Sequence, residues 1–143
     1  MFTRAILPFS VVFLIGAGEP TKEAKKELEK LQGEWKVVSV DFRGKELDAD
    51  TIKKMKLLVV KGNEWMAPSG GNLSIKRIDP TKNPKELDLV LAAKGMEGVY
   101  PGIYKLDGDT FTFCRPASGK GERPKDFKAG EEVVVFVFKR SGK

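Results

Sequence analysis

The sequence predicts an all-β domain, an eight-stranded antiparallel up-and-down barrel entered through one short N-terminal helix. Three observations lead there. The hydrophobic period changes from helical to two after residue 31. Eight short apolar or alternating runs follow, at 34–42, 55–61, 64–68, 72–78, 86–92, 99–106, 110–115 and 131–140, with turn residues between them. Such a set of antiparallel strands leaves two open edges unless the sheet closes, and closure removes that hazard.

The chain opens with "MFTRAILPFSVVFLIGAGEP". Arg4 supplies a positive start, Ala5 to Ile15 form a short apolar run, and Gly16, Ala17 and Gly18 are small enough for a peptidase. Residues 1–18 therefore read as a secretory signal peptide and 19–143 as the mature domain, placed outside the cytoplasm, either periplasmic or secreted. An uncleaved anchor is the alternative, although the run falls short of the about 20 residues that span a bilayer. No cysteine near the cut offers a lipid attachment point.

Next comes "TKEAKKELEKL" at 21–31, with Ala24, Leu28 and Leu31 on one helical face and charges elsewhere. The turns between the strands are chemically defined. Gly62-Asn63, Ser69-Gly70-Gly71 and Asp107-Gly108-Asp109 supply residues that accept positive φ. Parity places Tyr104 with Phe111 and Phe113 on one face, and Lys105 with Thr112 on the other, as a half-buried sheet demands. The run 55–61 is apolar on both faces, so its register stays open. In 131–140, Val134, Phe136 and Phe138 form one face and Val133, Val135 and Val137 the other, so a cover on the outside is expected, the N-terminal helix being the candidate.

"LQGEWKVVSV" at 31–40 puts Gly33 two residues before Trp35 at the head of the first strand. This resembles the G-x-W signature of the lipocalin superfamily, in which the tryptophan plugs the closed end of the barrel and a basic residue of the last strand packs across it. By that resemblance Gly33, Trp35 and Arg140 (or Lys139) form a structural closed-end plug. A cation over an indole face contributes about 0.5–2 kcal/mol. Trp35 as a plain core aromatic is the simpler alternative. A longer match adds "IDPTKNPKELDL" (78–89), "GIYKLDGDTFTFC" (102–114), "ERPKDF" (122–127) and "VFKR" (137–140), in order. Together these resemble a family of uncharacterised exported bacterial domains, known mainly from planctomycetes and described as lipocalin-like, over roughly residues 28–140. The T-D-Y loop triplet and disulfide pair of classical lipocalins are absent here, so their ligands and receptors do not carry over.

In such a barrel Trp35 and Arg140 mark one end and two long segments ring the other. "RGKELDADTIKK" (43–54) can fold over the mouth as a short lid with Leu47 and Ile52 facing down, whereas "ASGKGERPKDFKAG" (117–130) is rich in Gly and Lys and predicts a mobile loop. The inward set is Trp35, Val37, Leu73, Ile75, Leu89, Tyr104, Phe111, Phe113, Phe136 and Phe138. So many large aromatics argue for a mostly filled interior. An eight-stranded barrel is either filled by side chains or holds one small ligand, and a void of about 300 Å³ or more admits one. Gly102 leaves room beside Phe113. Tyr104, Phe111, Phe113 and Arg115 are the candidate ligand-binding residues. Arg115 shares their parity and lies towards the mouth, where a positive group can hold a carboxylate or phosphate head; its alternative is to reach out to solvent. Arg77 has inward parity too, but nearer the closed end.

The 143 residues suit one domain; they are 41% hydrophobic and 32% charged with a formal net charge of +6. The lysines are interleaved with acids, and with no recognition motif or basic helix, nucleic acid is not an expected partner. There is no histidine, which removes His triads and His–metal sites. The one cysteine, Cys114, sits on the face opposite Phe111 and Phe113 and cannot form an internal disulfide; it is either buried or available for pairing between chains. No catalytic constellation, metal site or cofactor is expected. Asp48/Asp50 and Asp107/Asp109 are explained by turns, and no phosphate loop is present. The expectation is a monomeric, non-enzymatic domain that binds a small hydrophobic or amphiphilic molecule. The alternative is a structural or interaction domain of the cell envelope with a filled core, touching a partner or an anionic surface.

Overall fold

The computed structural model describes residues 20–91 and 98–141. The segment 1–18, expected from the sequence to be a signal peptide, and Ala92, the last residue of the run 86–92, lie outside them. Helix α1 (Lys22–Leu31) is followed by β1 (Gly33–Phe42), β2 (Lys45–Glu46), the short helix α2 (Ala49–Lys53), β3 (Leu58–Lys61), β4 (Glu64–Met66), β5 (Asn72–Asp79), β6 (Lys85–Leu91), β7 (Gly98–Asp107), β8 (Thr110–Pro116) and β9 (Val133–Arg140). All neighbouring strands are antiparallel, and β9 pairs back onto β1 through Trp35↔Arg140 to Phe42↔Val134. The sheet is thus a closed eight-stranded barrel, with β2 a two-residue appendage on the end of β1.

The alternation of the sequence explains which side chains fill the barrel. Trp35, Phe111, Phe113, Tyr104, Phe138, Leu87 and Leu89 are fully or almost fully buried and belong to one core. Their rings touch in tilted or stacked pairs, Trp35 to Phe111 at 5.4 Å and Phe111 to Phe138 at 5.4 Å between centroids. Two irregularities change the parity. One lies between Val37 and Ser39, turning Val40 inward and leaving Val38 exposed. The other lies between Ile75 and Arg77. Past it Ile78 faces in, and Arg77 faces out to meet Glu86, Asp79 and Asp88. The inward placement of Arg77 expected from simple alternation is therefore corrected.

Helix α1 forms because Thr21 caps it, accepting from the Ala24 amide at 3.0 Å, with Glu23 in its first turn and Lys30 in its last. It packs against the barrel with Ala24, Glu27 and Leu31 buried and reaches Tyr104 and Lys85 through Glu27. It lies across the closed end, so it is not the outer cover expected for β9, and Val133, Val135 and Val137 stay half-exposed.

The segment 117–130, expected to be a mobile loop, lies as a strap along the outer face of β6–β8. Arg123 donates to Asp88 Oδ1 at 2.6 Å and to the Gly102 carbonyl at 2.9 Å. The Cys114 thiol donates to the Asp126 carbonyl at 3.7 Å, and Lys105 stacks on Phe127. Beneath this strap Ile103 and Cys114 are buried.

Candidate functional site

The two ends of the barrel differ in how they are filled. At the closed end the Arg140 guanidinium lies 3.9 Å from the centroid of the Trp35 ring and donates to the carbonyls of Gln32 and Lys30. The Trp35 indole N–H donates to the Leu31 carbonyl at 2.9 Å. These bonds satisfy carbonyls left open at the end of α1. Gly33 stands at φ +116°, a conformation that a side chain rarely adopts, and a Cβ there would meet the Arg140 guanidinium. Gly33, Trp35 and Arg140 are thus brought together, and Lys139 is exposed.

Glu27 completes this end and is absent from the set read from the sequence. Its carboxylate accepts from the Tyr104 hydroxyl at 2.7 Å and pairs with Lys30 at 3.1 Å and Lys85 at 3.3 Å. Burial pushes the Glu27 pKa up, but the Tyr104 hydroxyl and the two ammonium groups outweigh it and hold it below the ordinary carboxylate value. Burial and the adjacent carboxylate raise the Tyr104 pKa. The signal for Glu27 was present: it lies three residues after Ala24 and four before Leu31, an acid on the apolar stripe.

At the other end a cavity of about 410 Å³ opens into the barrel. Its floor is Trp65, Phe113, Phe138, Leu89 and Val40, packed together and at most 3% exposed, and its open walls include Phe42, Leu73, Leu91 and Phe136. Leu47 and Met55, on either side of α2, close over it, and Ile52 packs on the core nearby. Asp48 sets this lid by accepting from the Thr51 amide at 2.8 Å. The 43–54 segment thus does fold over the mouth. The interior is filled at its base and hollow at its mouth.

The four candidate ligand residues divide between these zones. Phe113 and Arg115 line the cavity. Phe111 lies below it in the aromatic base, and Tyr104 is committed to Glu27 at the closed end. Arg115 is the only charged side chain among the described residues lining the cavity. Its guanidinium carbon lies over Tyr100, 4.9 Å from the ring centroid, and over Phe136 at 5.6 Å. One of its nitrogens donates to the adjacent Pro116 carbonyl at 2.8 Å. Burial holds its pKa below the usual arginine value, yet a guanidinium stays charged at any physiological pH.

Cys114 lies on the outer face under the strap, and burial pushes its thiol pKa up to about 11. Among the described residues, no group of three or more Cys, Asp or Glu side chains is arranged to hold a metal ion. No protein family, curated protein or solved structure matches the chain.

Proposed function

We propose that this barrel binds one small apolar or amphiphilic molecule in the cavity at its mouth. One observation carries the reading: a cavity of about 410 Å³, lined almost wholly by apolar side chains, with a single guanidinium in its wall. Pockets that bury small ligands are typically 300–1,000 Å³, mostly apolar, and fixed in orientation by a few polar groups. Emptying water from such a surface onto a ligand gives about 25 cal/mol per Å² of apolar area removed from solvent. The lid from Leu47 to Met55 supplies an apolar roof over a bound molecule. The lipocalin-like resemblance of the Gly33-Glu34-Trp35 start supports the same reading, as does the composition of residues 1–18 for an exported protein. In that setting the protein carries or buffers a small amphiphile outside the cytoplasm.

Titration with the neutral dye N-phenyl-naphthylamine tests this. A saturable gain of fluorescence at micromolar protein, abolished when Ala67→Trp fills the cavity from its wall, is the expected result. No gain at all favours the other reading, a barrel whose aromatic base stabilises a structural or interaction domain. That domain would show salt-sensitive retention on an anionic polymer, given the net charge of +6. Export is tested separately by the mass of the mature N-terminus, expected near Gly18 or Glu19.

A further inference from the structure

We infer that the cavity selects a monoanionic carboxylate amphiphile, its head held by the Arg115 fork and its apolar body lying along Leu73, Leu91 and Phe136 above the aromatic floor. This rests on the reading of the cavity as a ligand site and adds the chemistry of the ligand.

The placement of the guanidinium gives the first reason. Tyr100 and Phe136 lie against Arg115. Ring contacts engage a guanidinium through its π face and leave its N–H edges for hydrogen bonds. Only one protein acceptor, the Pro116 carbonyl, is met among the described residues. A guanidinium has five N–H donors in a rigid fork, and a planar carboxylate matches an edge of that fork with two parallel bonds. A neutral head offers less, and a cationic head is repelled.

Charge balance gives the second. No carboxylate pairs with Arg115 among the described residues, whereas Arg77 and Arg123 each meet Glu86 and Asp88 on the outer face. A cation next to an apolar cavity gains most from a partner that brings one opposite charge. One cation balances a carboxylate. A phosphate monoester carries about −1.5 to −2 at neutral pH and leaves part of its charge uncompensated against Phe113, Leu73 and Phe136.

The geometry also orients the ligand. Arg115 follows Phe113 by two residues on the same inward face of β8, towards the mouth. The head therefore stays near the opening while the tail points at the floor. Trp65 lies in that floor, and Trp35 is sealed in the closed end, so a tail entering the cavity changes the emission of the first tryptophan and not of the second.

The test compares decanoate, decanol, decyl phosphate and decyltrimethylammonium on the intact protein by calorimetry and tryptophan emission. A charged hydrogen-bonded pair predicts about tenfold to a hundredfold tighter binding of decanoate than of decanol, with the phosphate weaker than decanoate and the ammonium weakest. Arg115→Gln should remove the preference for decanoate and leave decanol binding within about twofold, and Arg115→Lys should keep part of the preference because charge survives without the fork. Equal affinity for decanoate and decanol, or a phosphate that binds as tightly as decanoate, overturns the inference while sparing the cavity. The head-group series uses unaltered protein, so the outcome does not depend on the variants folding. If neither decanoate nor decanol binds and the neutral dye is also silent, the ligand site and its head-group selectivity fall together.

Discussion

The guanidinium of Arg140 lies over the indole of Trp35, 3.9 Å from the ring centroid, and from there donates to two carbonyls at the end of the N-terminal helix. One side chain of the last strand therefore ties together the first strand, the helix and the barrel closure. Arg140→Ala removes the ring contact and leaves the Lys30 and Gln32 carbonyls to find other partners. The expected loss is about 1–3 kcal/mol, combining a cation–π contact with charged hydrogen bonds. Arg140→Lys should recover only part of it, since an ammonium cannot both stack flat and reach two carbonyls. Urea unfolding followed by Trp fluorescence checks both values. Equal stability of the wild type and the alanine variant would remove the plug from the account of this fold.

Gly102 predicts a different cost. Its Cα faces the ring of Phe113, and a Cβ there would sit 2.5 Å from Phe113 Cε1 and 2.8 Å from the Cys114 carbonyl. The ring is held by Trp65 at 5.2 Å and lies above Phe111, so it can yield only towards the cavity. Gly102→Ala should destabilise by about 1–3 kcal/mol, the ordinary cost of overpacking a core. It should also disturb the cavity floor, lowering dye affinity more than Arg140→Ala does. Thermal unfolding and dye titration on the same sample separate the two effects.

Glu27 gives the closed end a pH dependence with a definite sign. Its folded pKa is held below the unfolded value of about 4.3. A depressed carboxylate binds its proton more readily in the unfolded chain, so its stabilisation is present above the unfolded pKa and is lost as pH falls through the folded one. Stability should therefore decline below about pH 4. Glu27→Gln should flatten that part of the decline, the remainder coming from other depressed carboxylates such as Asp79, whose hydrogen bonds to Thr81 persist. Glu27→Ala should cost about 1–3 kcal/mol at neutral pH by leaving the buried Tyr104 hydroxyl without its acceptor. Denaturant midpoints at pH 7 and pH 3.5 for the three proteins test it. A Gln variant with the acid sensitivity of the wild type would contradict the assignment.

Legibility in the sequence followed physical range. Alternation over two residues is a local property, so the inward aromatics and the shared face of Tyr104, Phe111 and Phe113 were readable from spacing alone, although their register was not. The meeting of Trp35 with Arg140 or Lys139 was expected from the resemblance of the Gly33-Glu34-Trp35 start together with closure of the sheet, and the antiparallel closure of β9 on β1 brings Arg140 there. Arg77 was misplaced because a one-residue irregularity inverts parity without any marker in composition. Arg123 was missed because its partners Glu86 and Asp88 lie on another strand, and an arginine in a Gly- and Lys-rich loop looks like every solvated one. The cavity was unreadable for a further reason: spacing gives the direction of a side chain but not the volume left when several of them meet.

The strap over β6–β8 makes Cys114 a reporter of that long-range contact. The thiol is fully buried, its pKa is pushed up to about 11, and it lies under Asp126 and the rest of the 117–130 segment. At pH 8 only a small fraction is thiolate, and reagent reaches it only when the strap opens. Labelling by a thiol reagent should therefore be slow in the native protein and complete in denaturant. Arg123 holds the strap down through Asp88, which is 8% exposed, and the Gly102 carbonyl. Arg123→Ala removes a charged hydrogen bond of about 1.5–3 kcal/mol and should speed labelling by about tenfold or more if opening limits the reaction. The dye titration should change little, because the strap lies outside the barrel and Arg123 is not among the residues lining the cavity. Labelling that is equally slow in the variant would mean that β8 itself, and not the strap, shields the sulfur.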